Sequence, residues 1–262
     1  LRYRHADGRT LFAKTYGEAH AHAIHQRFDW AWDLSQREIT APRVARPLQG
    51  NDAEHTLWQQ AATGTPLAQW MNASSASHWV LPLAHAAAAI HRAPAELAGP
   101  TPRNVEHWLL EVGRRRRKIG RVLPELAERA DATARAIERA AARLPAHQPT
   151  VIHGDFHPDQ MWFDGERIVL FDFDEFTLGD PMEDLAEFIV KLPEGGSSAQ
   201  LVALWLGAYA QVAPQHFCRQ RLAWHMAVQQ LLQASRAFIF QVADWRAEVQ
   251  RRLERAEQFA AQ

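Results

Sequence analysis

The sequence predicts an α+β chain, with a small β-rich amino-terminal lobe over residues 1–62 and a larger, mainly helical lobe over residues 63–262. Three observations carry that expectation. Short runs of strand-forming residues broken by turn residues cluster in 2–16 and 44–58. The stretch from Val105 to Leu144 is rich in Ala, Arg and Glu, all strong helix formers. A third segment, Val151 to Asp172 (V-I-H-G-D-F-H-P-D-Q-M-W-F-D-G-E-R-I-V-L-F-D), joins an apolar strand, an acid- and histidine-rich loop, a tight hairpin and an acidic strand end.

Bulk properties narrow the function classes. A chain of 262 residues with 47% hydrophobic content can bury a sizeable core and reads as a soluble globular protein. Its formal net charge of -1 argues against nucleic acid or an anionic membrane as the main partner, because those surfaces demand a basic excess. A small molecule is the expected ligand. The single Cys218 excludes an internal disulfide, and no leader pattern or bilayer-length apolar run is present, so the cytoplasm is the expected compartment. Oligomeric state leaves no signal.

Taken in order, residues 2–16 read as two strands about an Asp7-Gly8 turn, with Lys14 on the second. Gly17 to Leu34 has helical spacing, with Ala21, Ile24, Phe28 and Trp32 on one face. Residues 44–58 give another hairpin, with L-Q-G-N-D as its turn and T-L-W in its second strand, and Gln59 to Pro66 forms a polar crossover between the lobes. Helix resumes at Ser77 through V-L-P-L-A-H-A-A-A-A-I-H and again along Val105 to Leu144. Five consecutive cations, Arg114 to Lys118, project all round such a helix and read as a solvated face rather than a nucleic-acid site. Asp180 suits an N-cap, Pro181 the first helical position and Glu183 the capping-box position. Three more helices fill Ala199 to Gln262. The aromatic series Trp205, Tyr209, Trp224, Phe238, Phe240 and Trp245 either lines an acceptor pocket or forms core, and its helical spacing favours core.

The chemistry concentrates in the central unit. A hairpin closed by Asp164-Gly165 folds Asp172 back toward the loop that carries Asp155 and Gln160. Two carboxylates and an amide oxygen suit magnesium, which takes few protein oxygens and completes its shell with phosphates. Asp172 and Gln160 are therefore the expected metal ligands, and Asp155 the group that orients or deprotonates a hydroxyl. His153 reads as a hydrogen-bonded scaffold residue, His157 as either scaffold or chemistry. Asp174 is a second metal contact or a solvated neighbour, and Asp184 a brace for the loop.

The motifs H-G-D-F-H-P-D-Q, L-F-D-F-D and G-D-P-M-E-D-L-A together resemble the aminoglycoside phosphotransferase and choline kinase-like family of protein-kinase-like folds. That resemblance covers most of the chain and implies a two-lobed, ATP- and Mg2+-dependent small-molecule kinase. By position, Asp155 matches the family's catalytic aspartate, Asp172 its magnesium-binding aspartate and Lys14 the strand lysine that grips ATP phosphates. Gln60, at the lobe crossover, is assigned with Lys14 to nucleotide binding. Gln160 stands where the family usually has asparagine; some maltose- and trehalose-linked kinases of the superfamily are similar in this respect, which points toward a sugar. Glu18, Asp29 and Asp33 are the candidates for a helix acid paired with Lys14. The glycine-rich strand-turn-strand of the family would precede Leu1 or be reduced to the Asp7-Gly8 turn. Catalytic loop and metal hairpin are expected at residues 153–160 and 161–174.

Two competing readings stay open. A kinase-like module that binds nucleotide without transferring phosphate accommodates Gln160 and the short first lobe. A dinuclear metallohydrolase would use His153, Asp155, His157, Asp159 and Asp172, but its remaining histidines would have to come from His216 and His225, in predicted helices.

Overall fold

A computed structural model of the chain describes residues 1–4, 8–51, 55–71, 75–192 and 198–262. It is a two-part α+β fold. Strands β1 (Arg2–Arg4), β2 (Thr10–Thr15), β3 (Pro47–Asn51) and β4 (Thr56–Gln60) form an antiparallel sheet in the order β1-β2-β4-β3. Helix α1 (Glu18–Arg37) packs on that sheet. Its buried face follows the helical period, with Ala21, Ile24, Phe28 and Ala31 inside and Trp32 only partly covered.

The first two strands and α1 fall where the sequence puts them, although Asp7 of the expected turn lies outside the described residues. The second hairpin departs from expectation: Leu48 to Asn51 belong to β3, so the chain reverses beyond Asn51, and residues 52–54 are outside the described set. Gly and Asn within a turn-like run were overridden here by pairing with β4.

The chain then crosses to β5 (Thr65–Pro66), which pairs with β7 (Met161–Phe163); β7 in turn pairs with β8 (Ile168–Leu170). A two-stranded ladder of β6 (Thr150–Ile152) and β9 (Thr177–Gly179) lies beside the acidic loop. Helices α2 (Ala76–Ile90), α3 (Val105–Val122), α4 (Ala127–Ala141), α5 (Pro181–Val190), α6 (Ser198–Val212), α7 (Arg219–Ile239) and α8 (Trp245–Ala260) supply the rest. Val105 to Leu144 is two helices rather than one run. Pro124 has no amide hydrogen to continue the ladder, and Leu123 before it leaves the helical region at φ -130.

Two apolar cores result. One joins α1, α2, α5 and α6 with the strands around the loop, and the other lies among α3, α4, α7 and α8. Phe156, Phe173, Phe176 and Phe188 are fully buried in the first, directly behind the acidic segment. Each contributes roughly 1.5–3 kcal/mol by burial, so the loop rests on a rigid floor. Trp205, Tyr209 and Trp224 are core, as their spacing suggests, whereas Phe240 is exposed. Arg114 and Arg115 pair with Glu111, and Arg116 with Asp131, along a largely solvated face. Among the described residues no helix is long and apolar enough to cross a membrane.

Candidate active site

The loop after β6 is shaped by Gly154. Its φ is +77, and a Cβ there would stand 2.5 Å from the carbonyl oxygen of Glu175, so only glycine fits without displacing backbone. Both polar groups of the Gly154 peptide unit are engaged. Its N–H donates to Asp184 Oδ1 at 2.9 Å, and its carbonyl accepts from Arg103 Nη1 at 2.7 Å. Asp184 is fully buried on α5 and also accepts from the His153 N–H at 2.8 Å and His91 Nε2 at 3.1 Å. Burial raises the Asp184 pKa, but the His91 contact and the two amide donors outweigh it and hold the carboxyl below its usual range. His91 Nδ1 in turn meets the Tyr209 hydroxyl at 2.6 Å, so a buried chain of hydrogen bonds runs from α6 through Asp184 to the loop.

His153 completes the floor. Its Nε2 donates to the Phe171 carbonyl at 3.0 Å, its ring stands against Phe156, Phe173 and Phe176, and burial pushes its pKa down, leaving a neutral ring. This geometry matches a scaffold residue. Asp180 caps α5 by accepting the Met182 N–H at 3.0 Å. Glu183 does not close a capping box: its carboxylate accepts from Arg103 at 2.9 Å and from the Trp108 indole at 2.9 Å. A partly buried arginine and a buried indole compete better for that carboxylate than an N-cap amide, and the Asp180 carbonyl already takes the Glu183 N–H at 2.8 Å.

Asp155 projects from this braced loop and is about a third exposed. Its Oδ1 lies 3.1 Å from Lys191 Nζ and 3.3 Å from His157 Nε2, and its Oδ2 accepts from the Gln160 amide nitrogen at 3.1 Å. Burial raises the pKa, but His157, Lys191 and Gln160 together hold the carboxyl far below the usual carboxylate range. Lys191 also pairs with Glu187 at 2.8 Å, one turn back on α5. A cavity of about 390 Å³ opens beside Gly154 and Asp155, walled by α3 and α7.

The hairpin returns the second acidic group to the same side. Asp164 accepts the N–H groups of Glu166 and Arg167 at 3.0 and 2.9 Å, Gly165 takes φ +100, and the Phe171 N–H reaches the Gln160 carbonyl at 3.0 Å. Asp172 follows with φ 61, a left-handed conformation that Asp tolerates better than most residues. Its Oδ1 and Asp174 Oδ2 converge on Lys14 Nζ at 2.9 and 2.6 Å. Burial raises the Asp174 pKa further than Lys14 can lower it. Lys14 is about half exposed, so these ion pairs contribute at most about 1 kcal/mol to stability. Their significance is a carboxylate pair that demands a cation.

None of Glu18, Asp29 and Asp33 takes Lys14, which pairs with the two hairpin acids instead. Helix α1 contributes a cation at this place: Arg27 is buried and donates to the carbonyls of Leu97, Phe173 and Asp174 at 2.8, 3.1 and 2.6 Å. Tyr16 donates to Asp174 Oδ1 at 3.1 Å. Sequence reasoning named neither Arg27, Tyr16, Lys191 nor Arg103: Arg27 and Arg103 reach the site from distant elements with no motif around them, and Tyr16 and Lys191, although close in sequence to Lys14 and to the G-D-P-M-E-D-L-A run, carry no spacing that marks them. The structure thus brings together Lys14, Asp172 and Asp174, and separately Asp155, His157 and Gln160, with the Gln160 backbone joining the two groups. Gln60 stands apart. It ends β4, three residues beyond the Leu57 that pairs with Lys14, with its N–H given to the Arg46 carbonyl.

Among the described residues no three His, Cys, Asp or Glu side chains are grouped to hold a metal, so the imidazole-rich dinuclear arrangement is not assembled. A magnesium ion needs less, namely one or two carboxylates and substrate phosphates. Asp172 and Asp174, two hard-oxygen donors already sharing one cation, fit that requirement.

Comparisons with known proteins identify the family and the fold. A family model described as "Phosphotransferase enzyme family" matches residues 2–225. The fold is similar to a choline/ethanolamine kinase family protein from Mesorhizobium loti, at 17% identity over 96% of this chain and 82% of that one, TM-score 0.63. It is also similar to a choline kinase from Streptococcus pneumoniae, at 15% identity over 97% and 86%, TM-score 0.63. An aminoglycoside phosphotransferase from Streptomyces rimosus, solved with ADP and streptomycin, matches at 21% identity over 88% and 89%, TM-score 0.53. No curated protein matches the chain.

Proposed function

The chain belongs to the phosphotransferase enzyme family, and from that premise we propose that it is an ATP- and magnesium-dependent kinase acting on a hydroxyl of a small molecule. The acceptor classes in view are aminoglycosides, sugars, choline and amino-alcohols. Nucleotide would lie between residues 1–62 and 63–262, with Lys14 leaving its two carboxylates to grip the phosphates. Asp172 and Asp174 would hold the ion, and the Gln160 amide would join them only by turning from its place on Asp155. A divalent cation there supplies neutralisation of phosphate charge.

Asp155 receives the acceptor. The acceptor oxygen attacks the γ-phosphorus, the new O–P bond forms as the bridging P–O bond to the β-phosphate breaks, ADP leaves, and the hydroxyl proton passes to Asp155. A carboxylate held as low as Asp155 is a weak base. Its first task is therefore orientation, and proton transfer comes late, once bond formation has made the oxygen acidic. Lys191 and His157 keep it ionised, and the Asp184 brace fixes its aim.

The observation that carries this reading is an ionised aspartate lining a cavity, joined through Gln160 to a carboxylate pair holding a lysine. Asp155→Ala is expected to lower turnover by on the order of a hundred- to ten-thousandfold while nucleotide binding survives. Near-normal turnover in that variant would sink the assignment. A second reading, a kinase-like module that binds nucleotide without phosphotransfer, has one observation in its favour: the Gln160 amide nitrogen is committed to Asp155. Turnover of any hydroxyl acceptor excludes it, and nucleotide binding without turnover favours it.

A further inference from the structure

The cavity beside Asp155 is electrically polarised along its length, and we infer that the acceptor is a small hydroxyl compound carrying an anionic group, a carboxylate or a phosphate ester. The inference rests on the phosphotransferase reading and adds the chemical class of its substrate.

The inner end is acidic. Asp155, Glu175 and Glu187 line it, with Lys191 shared between Asp155 and Glu187, and with Arg103 shared between Glu175 at 2.5 Å and the buried Glu183 at 2.9 Å. At this end two cations face four carboxylates. The outer end has the opposite balance. Its one lining carboxylate, Glu111, is divided between Arg114 at 2.5 Å and Arg115 at 3.4 Å. Arg236 lines the same cavity, and among the described residues it has no ion pair and no side-chain hydrogen bond.

Helix order places these outer groups together. The amino-terminal turns of α3 and α7 meet around Asn104, Trp224 and His225. Arg115 lies about 15 Å along α3 from Val105, and Arg236 comparably far along α7 from His225, at 1.5 Å per residue. Gln229, Leu232 and Arg236 share one face of α7, as Trp108, Glu111 and Arg115 share one face of α3. An arginine left unpaired in a partly enclosed pocket is a ready site for a carboxylate or phosphate, either of which it binds bidentately. At that end a polycationic acceptor meets the reverse, with Arg115 and Arg236 lining the wall beside the one carboxylate of Glu111. The volume, about 390 Å³, lies toward the low end of small-molecule sites and suits a molecule near the size of one sugar ring or amino acid.

The test is calorimetric titration of the full chain with matched sets: gluconate against glucose, and glycerate and glycerol 3-phosphate against glycerol, with choline as the cationic member. The expected result is that anionic members bind and their neutral partners bind at least tenfold more weakly. The carboxylate and phosphate arms identify which oxyanion is used. Arg236→Gln should weaken the anionic ligands by on the order of ten- to a hundredfold, the scale of one charge-assisted hydrogen bond, and Arg236→Lys should restore part of that loss, which a purely structural role would not produce. Preference of the wild-type chain for neutral or cationic members, or no binding by any anionic member, overturns the inference. Phosphorylation of the same panel is read separately: transfer to a neutral or cationic acceptor alone leaves the phosphotransferase reading standing without this one, whereas bound acceptors with no transfer defeat the kinase and leave the anion site.

Discussion

Lys191 shows how one side chain tunes Asp155. It stands 3.1 Å from Asp155 Oδ1 at the carboxyl end of α5, and its charge is among the causes that depress the Asp155 pKa. Lys191→Met should raise that pKa toward the ordinary carboxylate range. Because the active form is the anion, the acidic limb of the pH–rate profile should move to higher pH; an unmoved limb would show that His157 and Gln160 suffice. Asp155, Asp172 and Asp174 were legible in the sequence because their loop and hairpin are continuous in the chain and the turn chemistry at Asp164-Gly165 is local. Lys191 was not, since 36 residues separate it from Asp155. The partner of Lys14 was sought on α1 and found in the hairpin, where two carboxylates in close approach compete more strongly than one on a helix face.

At the scale of elements, the amino terminus of α5 is where cap, brace and loop meet. Asp184→Asn puts an amide NH2 against backbone N–H donors in a dry site and should destabilise the fold by about 3 kcal/mol, read as a shift in denaturation midpoint without a change in slope. Asp180 answers to pH. Burial raises its pKa, but His225 and the Met182 N–H bring it down to about 2. Its contribution is therefore present above the ordinary carboxylate value and disappears as pH falls through about 2. By that shift it supplies roughly 2 kcal/mol at neutral pH. Asp180→Asn, which keeps a capping oxygen, should flatten acid unfolding between about pH 4 and 2; an unchanged acid limb would remove the residue from that role. The cap itself was readable from Asp180-Pro181, because capping is a local preference. The diversion of Glu183 was not, since it depends on Arg103 and Trp108 arriving from another part of the chain.

Across the whole molecule, the division into a small sheet with α1 and a larger helical part was legible because strand-forming and helix-forming runs are segregated along the sequence. Ligand linkage tests the site as a unit. At a hundred times its dissociation constant, ATP with magnesium should stabilise the chain by about 2.7 kcal/mol, which raises the melting temperature by roughly 5–10 °C at this size. Lys14→Met should remove most of that rise, and an equal rise in the variant would place the phosphates elsewhere. Finally, the Gly154 peptide unit is fastened on one side to α5 through Asp184 and on the other to Arg103, next to the Asn104 cap of α3. The wall that an acceptor presses against and the backbone that aims Asp155 are thus two ends of one lever. A tilt of α3 on filling of the pocket would therefore reach the Asp155 loop through the Arg103 to Gly154 hydrogen bond.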